Sequence, residues 1–466
     1  MAEVERRGPR LRREPIHRLI EPFERFMHVE AAGGVVLLAC TLIALILANS
    51  PLANGYLAIW KIELGLTIGD IGFHHPLKHW INDGLMAIFF FVIGLEVKRE
   101  LTLGELRDPR RAALPVFAAL GGMAVPAAIY LILQWGEPGA RAWGVPMATD
   151  IAFVVGCMAV LGRRVPHGLR VMILSLAIAD DIGAILVIAI GYTESLDFTA
   201  LALGVAGIAA ILLLSRLGVR RLSPYILVGL LVWLAFHESG VHATIAGVIL
   251  GLMTPARSYI GHGVIGEAMT WIDEIFEGGG LEKARDRVVA VRRLRHATRE
   301  TISPLEYLEN VLHPWVGFVI MPLFALANAG VPFQLADFGK PVAVAVMAGL
   351  TVGKPVGIVV LSWLAIRLRV ARMPEGVSWR LLSGGGALAG IGFTMALFIA
   401  DLALAGELLD AAKVGILAAS LISAMIGMTL LSWRGRVRSR ASEIGRPHGS
   451  SPEEHPTRPH SSPPEP

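Results

Sequence analysis

Two adjacent aspartates, Asp180 and Asp181, lie inside the apolar run 171–190, which is long enough to cross a bilayer. A carboxylate at the middle of such a run costs about 3 kcal/mol on insertion scales and more in simulations. Two neighbouring carboxylates also repel each other when both are charged. The pair points to cation binding, to proton carriage, or to both. A second polar entry is Gly144-Val-Pro-Met-Ala-Thr-Asp-Ile151. Pro146 cannot donate a helix hydrogen bond and disfavours helix in the residue before it. A helix broken there frees backbone carbonyls beside the Thr149 hydroxyl and the Asp150 carboxylate. All are hard oxygen donors, suited to Na+ or Li+ and not to a soft metal. The competing reading is a proline kink with Thr149 bonded back to its own helix.

A third feature is the run 384–395, with five glycines within nine residues, Gly390 and Gly392 among them. Such a run is poor for helix stability and permits unwinding or close helix packing. Together the second and third features predict two interrupted helices at matching positions of two inverted halves, a pattern that marks a midplane ion site. Where two antiparallel broken helices cross, like ends of their half-helix dipoles face each other. An anion near the positive ends and a cation near the negative ends relieves that, and Asp150 supplies the anion. Lys354, deep in an apolar run and directly before Pro355, is the candidate cation. It lies too far inside for its ammonium to reach the interface comfortably.

Other polar residues sit at span ends. His242 has a side chain whose ordinary titration lies near neutrality, so it is read either as tuning a pH response or as structural. Asp83 is expected to cap the helix it opens. Glu96, Lys98, Arg99 and Glu100, with Glu309 and His313, are read as an interfacial charge cluster or a regulatory one.

These residues must be positioned by membrane helices. The chain is 54% hydrophobic and only 17% charged, with a mean hydropathy of +0.60; globular chains are roughly a quarter charged. Twelve apolar spans are predicted, at 31–49, 83–97, 112–134, 143–161, 168–190, 197–214, 223–236, 241–253, 312–331, 342–366, 381–402 and 410–432. Basic residues concentrate in alternate loops, which places both termini in the cytoplasm by the positive-inside rule. The net charge of +4 therefore reflects topology and not nucleic-acid binding. The two cysteines, Cys40 and Cys157, lie in apolar runs and signal neither a disulfide framework nor a metal cluster. The expected organisation is a basic cytoplasmic segment at 1–30, a transmembrane domain at 31–435 and a disordered cytoplasmic tail at 436–466. The N-terminal segment is not read as a cleavable signal peptide. Residues 57–73, with period-two alternation over 62–69, are expected to form an extracytoplasmic strand or hairpin. The 255–305 loop is read as cytoplasmic, with a basic surface segment at 281–299.

The motifs Ile81-Asn-Asp-Gly-Leu-Met-Ala-Ile-Phe-Phe, Gly94-Leu-Glu-Val-Lys-Arg-Glu100, Ala148-Thr-Asp-Ile-Ala-Phe153, Ala177-Ile-Ala-Asp-Asp-Ile-Gly-Ala184, Ser239-Gly-Val-His-Ala-Thr, Phe324-Ala-Leu-Ala-Asn-Ala-Gly330, Gly353-Lys-Pro and Gly390-Ile-Gly-Phe-Thr-Met occur in one order. With them the chain resembles the NhaA-type sodium/proton antiporter family from about 31 to 435. That family is itself a known case of inverted repeats, so the repeat reading above is not independent of the resemblance. The resemblance implies an all-α polytopic fold of about twelve transmembrane helices, with two broken helices crossing at the midplane. It implies that Asp181, with Asp180, forms the alternating Na+/H+ site, and that Lys354 pairs with Asp180. Thr149 and Asp150 then lie at the crossing. Glu96, Arg99, Glu100, His242 and Glu309 match positions associated with pH activation. It further implies electrogenic expulsion of Na+ or Li+ for external protons, no cofactor, no enzymatic activity, a bacterial inner-membrane location and a homodimer formed through the hairpin. Two departures from the pattern are the expanded loop before 312 and Asp401, which is expected to be a helix-end surface charge.

From the residues alone a cation channel and an organic-anion symporter remain open. No nucleophile or metal constellation suggests a membrane enzyme, and no Walker-type loop suggests ATP-driven pumping.

Overall fold

The computed structural model describes residues 30–68, 71–193, 196–256 and 303–444. The chain enters through α1 (Glu30–Ala48), turns by 119° into the short α2 (Ala53–Trp60), and forms an antiparallel hairpin of β1 (Glu63–Ile68) and β2 (Ile71–Pro76). Then come α3 (Leu77–Thr102), α4 (Pro109–Leu133), two 3-10 turns within Pro138–Met147, α5 (Ile151–Leu161), α6 (His167–Gly191), α7 (Phe198–Arg216), α8 (Leu222–Glu238) and α9 (Thr244–Met253). After the 257–302 interval follow α10 (Pro304–Asn328), α11 (Pro341–Arg367), α12 (Trp379–Ala389), α13 (Phe393–Ala403) and α14 (Gly406–Ile444).

Seven described helices are long and apolar enough to cross a membrane, and up to ten if each bent pair is one span. The molecule is therefore a multi-pass membrane protein. Each of the twelve expected spans meets a described helix, but α8 and α9 are short. The ten residues of α9 rise only about 15 Å, half the hydrocarbon thickness. Two of the bent pairs are the predicted interruptions: the 3-10 segment and α5 differ by 42° in direction, and α12 and α13 by 47°.

The strand pair runs from the Glu63–Pro76 partners to Ile68–Ile71. The expected hairpin at 57–73 is thus shifted, because residues 57–60 end α2. The hairpin is tied to the bundle by Leu77 N–H donating to the Ile62 carbonyl at 2.8 Å and by Trp80 Nε1 donating to the Leu64 carbonyl at 3.0 Å. At the other end of the chain, α14 passes the expected boundary at 435, since no proline interrupts it before Pro447. Most of the 1–30 segment, the 257–302 part of the expected 255–305 loop and the tail from 445 lie outside the described residues.

Three helices widen into π turns: Trp80–Leu85 in α3, Val316–Ile320 in α10 and Gly349–Gly353 in α11. The last two adjoin Pro314 and Pro355, whose missing N–H and ring bulk unsettle the regular ladder. Asp83 sits inside the first π turn and not at a helix start, so it caps nothing. Its carboxylate instead faces His79 and His237 at 3.5 and 3.4 Å.

Glycines bring backbones together at two crossings. A Cβ on Gly247 of α9 would lie 2.2 Å from the Ala87 carbonyl oxygen, and one on Gly251 2.4 Å from that of Phe91, both on α3. Gly121 of α4 and Gly357 of α11 make the same kind of contact, each Cβ meeting the other's carbonyl oxygen at 2.1 and 2.0 Å. Small residues four apart permit this approach in membranes, where packing drives association in place of the hydrophobic effect. Gly247→Val should cost about 1–3 kcal/mol by overpacking and lower the thermal unfolding midpoint in detergent. Gly55→Ala, where an added Cβ meets nothing within 4 Å, should not. Equal midpoints for the two variants would contradict the α3–α9 contact.

Candidate functional site

The two helix interruptions touch. The Asp150 N–H donates to the Ile391 carbonyl at 2.7 Å, directly linking one break to the other. The first break exists because Pro146 sits in a 3-10 turn, after which Ala148 and Asp150 turn extended before α5 starts. The second needs its glycines for space and not for backbone freedom, since Gly390 and Gly392 both have ordinary negative φ. A Cβ on Gly390 would fall 2.5 Å from the Leu350 carbonyl oxygen, and one on Gly392 3.2 Å from that of Ala148.

Each break leaves donors at the start of one half-helix and acceptors at the end of another. Asp150 closes the donors. Its Oδ1 accepts from the Phe153 N–H at 3.3 Å, the first turn of α5, and its Oδ2 accepts from the Thr394 N–H at 3.0 Å, the first turn of α13. The Thr394 hydroxyl donates to the same Oδ2. One carboxylate thus serves two positive helix ends. Lys354 and Thr149 serve the acceptors. The Lys354 ammonium donates to the Met147 carbonyl, the end of the 3-10 segment, and to Asp180 Oδ2 at 2.6 Å. The Thr149 hydroxyl lies 2.6 Å from Asp180 Oδ2 and 3.0 Å from the Ala389 carbonyl, the end of α12, and donates to one at a time.

Lys354 and Asp180 are an ion pair with both side chains at or below 1% exposure. Asp181, one residue on, is also buried. Among the described residues no hydrogen bond reaches its carboxylate, and Asp180 Oδ1 is buried without a partner. Three carboxylate oxygens therefore stand unengaged beside the crossing. Asp180 Oδ1, closed off from water, is costly to leave unsatisfied, and a hard cation or a proton held by it and Asp181 satisfies it.

The structure brings together Thr149, Asp150, Asp180, Asp181 and Lys354, with Pro146, Gly390 and Gly392 shaping the breaks. It separates the other candidates into two groups. At one end of α3, Arg99 pairs with Glu309, Glu96 Oε1 lies 3.6 Å from His313 Nδ1, and Glu100 Oε1 accepts from the Ser175 hydroxyl at 3.0 Å. Ser175 is on α6, the helix that carries Asp180. His242 lies elsewhere, its Nδ1 2.9 Å from the Thr244 hydroxyl and its ring edge-on to Phe398. Asp401 is not a free surface charge. It accepts from Lys78 at 2.5 Å and from Asn82 at 2.7 Å, and Asn328 in turn donates to Asn82 at 2.7 Å. Sequence alone does not single out Thr394, the Met147 carbonyl or the Asn82–Asn328 pair that meets Asp401. The signal available was a hydroxyl or amide inside an apolar run.

The sequence model of the Na+/H+ antiporter 1 family matches residues 24–431. The Na+/H+ antiporter NhaA of Rhodopirellula baltica is 57% identical over 433 residues, covering 93% of this chain and 98% of the relative. That of Rhizobium meliloti is 53% identical, covering 91% and 97%, and NhaA 2 of Vibrio vulnificus 48%, covering 91% and 95%. These antiporters are transporters and not enzymes, and their substrates are ions. On its motifs, its crossed helix breaks and this similarity over nearly the whole membrane part, the chain belongs to the Na+/H+ antiporter 1 family.

Proposed function

We propose that this chain exchanges Na+, or Li+, for H+ by letting the two ions compete for Asp180 and Asp181. The observation that carries the reading is the buried Lys354–Asp180 pair with Asp181 unengaged beside it. Protonating a carboxylate removes the charge that would hold Na+, so one site serves both ions and alternating access moves whichever is bound. The surrounding hydrogen bonds tolerate both states. A protonated Asp180 donates to the Thr149 hydroxyl, which then donates to the Ala389 carbonyl, while Lys354 keeps the Met147 carbonyl. Three titratable groups, Asp180, Asp181 and Lys354, offer room for more than one proton per Na+, which makes the exchange electrogenic. A downhill channel has no use for a lysine placed to release the carboxylate it neutralises.

The same reading places the crossing at the midplane of twelve spans arranged as inverted repeats. Both termini are cytoplasmic, in a bacterial inner membrane, and Na+ leaves for external H+ in the service of pH and sodium homeostasis. The β1–β2 hairpin joins two copies in a dimer. Asp150 and Thr149 hold the crossing, and Glu96, Arg99, Glu100, Glu309 and His242 set the pH response. A basic cytoplasmic segment at 1–30 precedes the transporting domain at 31–435, and a cytoplasmic tail follows at 436–466.

Four outcomes test it. In everted vesicles from a bacterium lacking its own antiporters, Na+ or Li+ should dissipate an imposed pH gradient, less so as the medium is acidified. Asp181→Asn should abolish that response at every pH while inserting normally; wild-type exchange by this variant would sink the assignment. Lys354→Ala leaves Asp180 without its countercharge and the Met147 carbonyl without its donor and should cost about 3–5 kcal/mol, seen as a lowered unfolding midpoint in detergent. An unchanged midpoint would show that the pair is not buried as described. In proteoliposomes, valinomycin with K+ should accelerate Na+-driven proton movement by collapsing the opposing potential, and indifference to it would mean electroneutral exchange.

A further inference from the structure

We propose that His75, His79 and His237 form a binding site for a borderline divalent transition metal, of which Zn2+ is the type, at the hairpin end of the bundle. His75 is on β2, His79 opens α3 and His237 is in the last turn of α8. One ligand atom from each lies within 4.8 Å of the other two. A tetrahedral ion with metal–nitrogen bonds of about 2.0–2.1 Å wants its ligand atoms about 3.3 Å apart, a gap that small side-chain rotations close. The rings are already gathered: His75 stacks on His79 at 4.2 Å between centroids, and His237 meets them edge-on at 5.4 and 5.2 Å.

Two further observations point to a ligand and not to an aromatic packing patch alone. His79 Nε2 is buried and has no hydrogen-bond partner, though its side chain as a whole is 33% exposed and open to an arriving ion. The Asp83 carboxylate lies 3.5 Å from that nitrogen and 3.4 Å from His237 Nδ1. On His237 the carboxylate faces Nδ1 and so leaves that ring's Nε2 for the ion, while beside His79 Nε2 it offsets the ion's charge or supplies an oxygen ligand. Trp233 lies nearly parallel to His237 and gives the site one apolar wall. Imidazole nitrogens select Zn2+, Cu2+ or Ni2+ over Na+, which takes oxygen donors, so this is no second site for the transported ion. A bound ion would staple the hairpin and the start of α3 to the end of α8.

The test uses untagged full-length protein in which the tail histidines His448, His455 and His460 are replaced by alanine, so that binding by the tail is removed. After chelator treatment and dialysis against micromolar Zn2+, elemental analysis should find one Zn2+ per chain, released on acidification as imidazoles protonate. His75→Ala, His79→Ala and His237→Ala should each weaken binding at least about tenfold. His79→Gln, closer in shape, should do the same, and the metal-free unfolding midpoint of every variant reports whether it is folded. Loss of Zn2+ in variants with unchanged midpoints supports the site. Absence of stoichiometric Zn2+ before any of the three is altered, or retention of Zn2+ by folded variants of all three, overturns it.

Discussion

An ion pair held away from water, Lys354 with Asp180, is the contact on which the rest of the arrangement depends. Taking two charges into a dry interior costs several kcal/mol for each ion, and mutual attraction repays it only when the remaining lone pairs and protons are also satisfied. That requirement, met for the ammonium by the Met147 carbonyl and left open at Asp180 Oδ1, explains why the pair stands where two helices are broken. An intact helix has no spare carbonyl to offer an ammonium; the Met147 carbonyl, released by the break after Pro146, is one. Nor has it spare N–H groups for a buried carboxylate; Phe153 and Thr394, at the starts of α5 and α13, provide them to Asp150. The breaks supply the polar groups and the charges satisfy them, so neither is stable alone.

The scaffold keeps these groups in register by unusually close backbone contacts. Gly357 of α11 lies against Gly121 of α4, just past Lys354, and the π turn Gly349–Gly353 comes just before it. Leu350, in that turn, places its carbonyl where a side chain on Gly390 would be, which couples α11 to the second break. A shift of α11 therefore moves the lysine and the α12–α13 break together. On the other side, α6 carries Asp180 and Asp181 at its middle and Ser175 a turn and a half earlier, bonded to Glu100 in the charged cluster at the end of α3. That cluster thus reaches the helix that carries Asp180 and Asp181 through a direct hydrogen bond.

How much of this was legible in the sequence follows from what a residue type reveals. Asp150, Asp180, Asp181 and Lys354 announce themselves because a charge in an apolar run has few uses, and the dipole pattern of two crossing breaks even predicts which sign belongs where. Pro146 and the 384–392 glycines mark the breaks for the same local reason. Thr394 was hidden because a threonine in an apolar helix ordinarily bonds back to its own backbone, and the Met147 carbonyl because a main-chain acceptor has no residue signature. In the sequence Asp83 resembles a cap and Asp401 a surface charge, because sequence gives only their neighbours along the chain. Their partners, His237 and Lys78, are far away in it. The span count was clear for the long helices and not for α8 and α9, whose lengths fall between a membrane crossing and a core helix.

The most direct measurement of the central claim is proton release on Na+ binding by the purified protein, read with a pH indicator in weakly buffered detergent solution alongside the apparent Na+ affinity at each pH. Competition for Asp180 and Asp181 predicts that each Na+ bound expels protons at acidic pH and that affinity weakens steadily as the medium is acidified. Both effects should disappear in alkaline solution, where the carboxylates are already free. Na+ binding with no proton release and an affinity independent of pH would contradict the account, because the two ions would then occupy different sites.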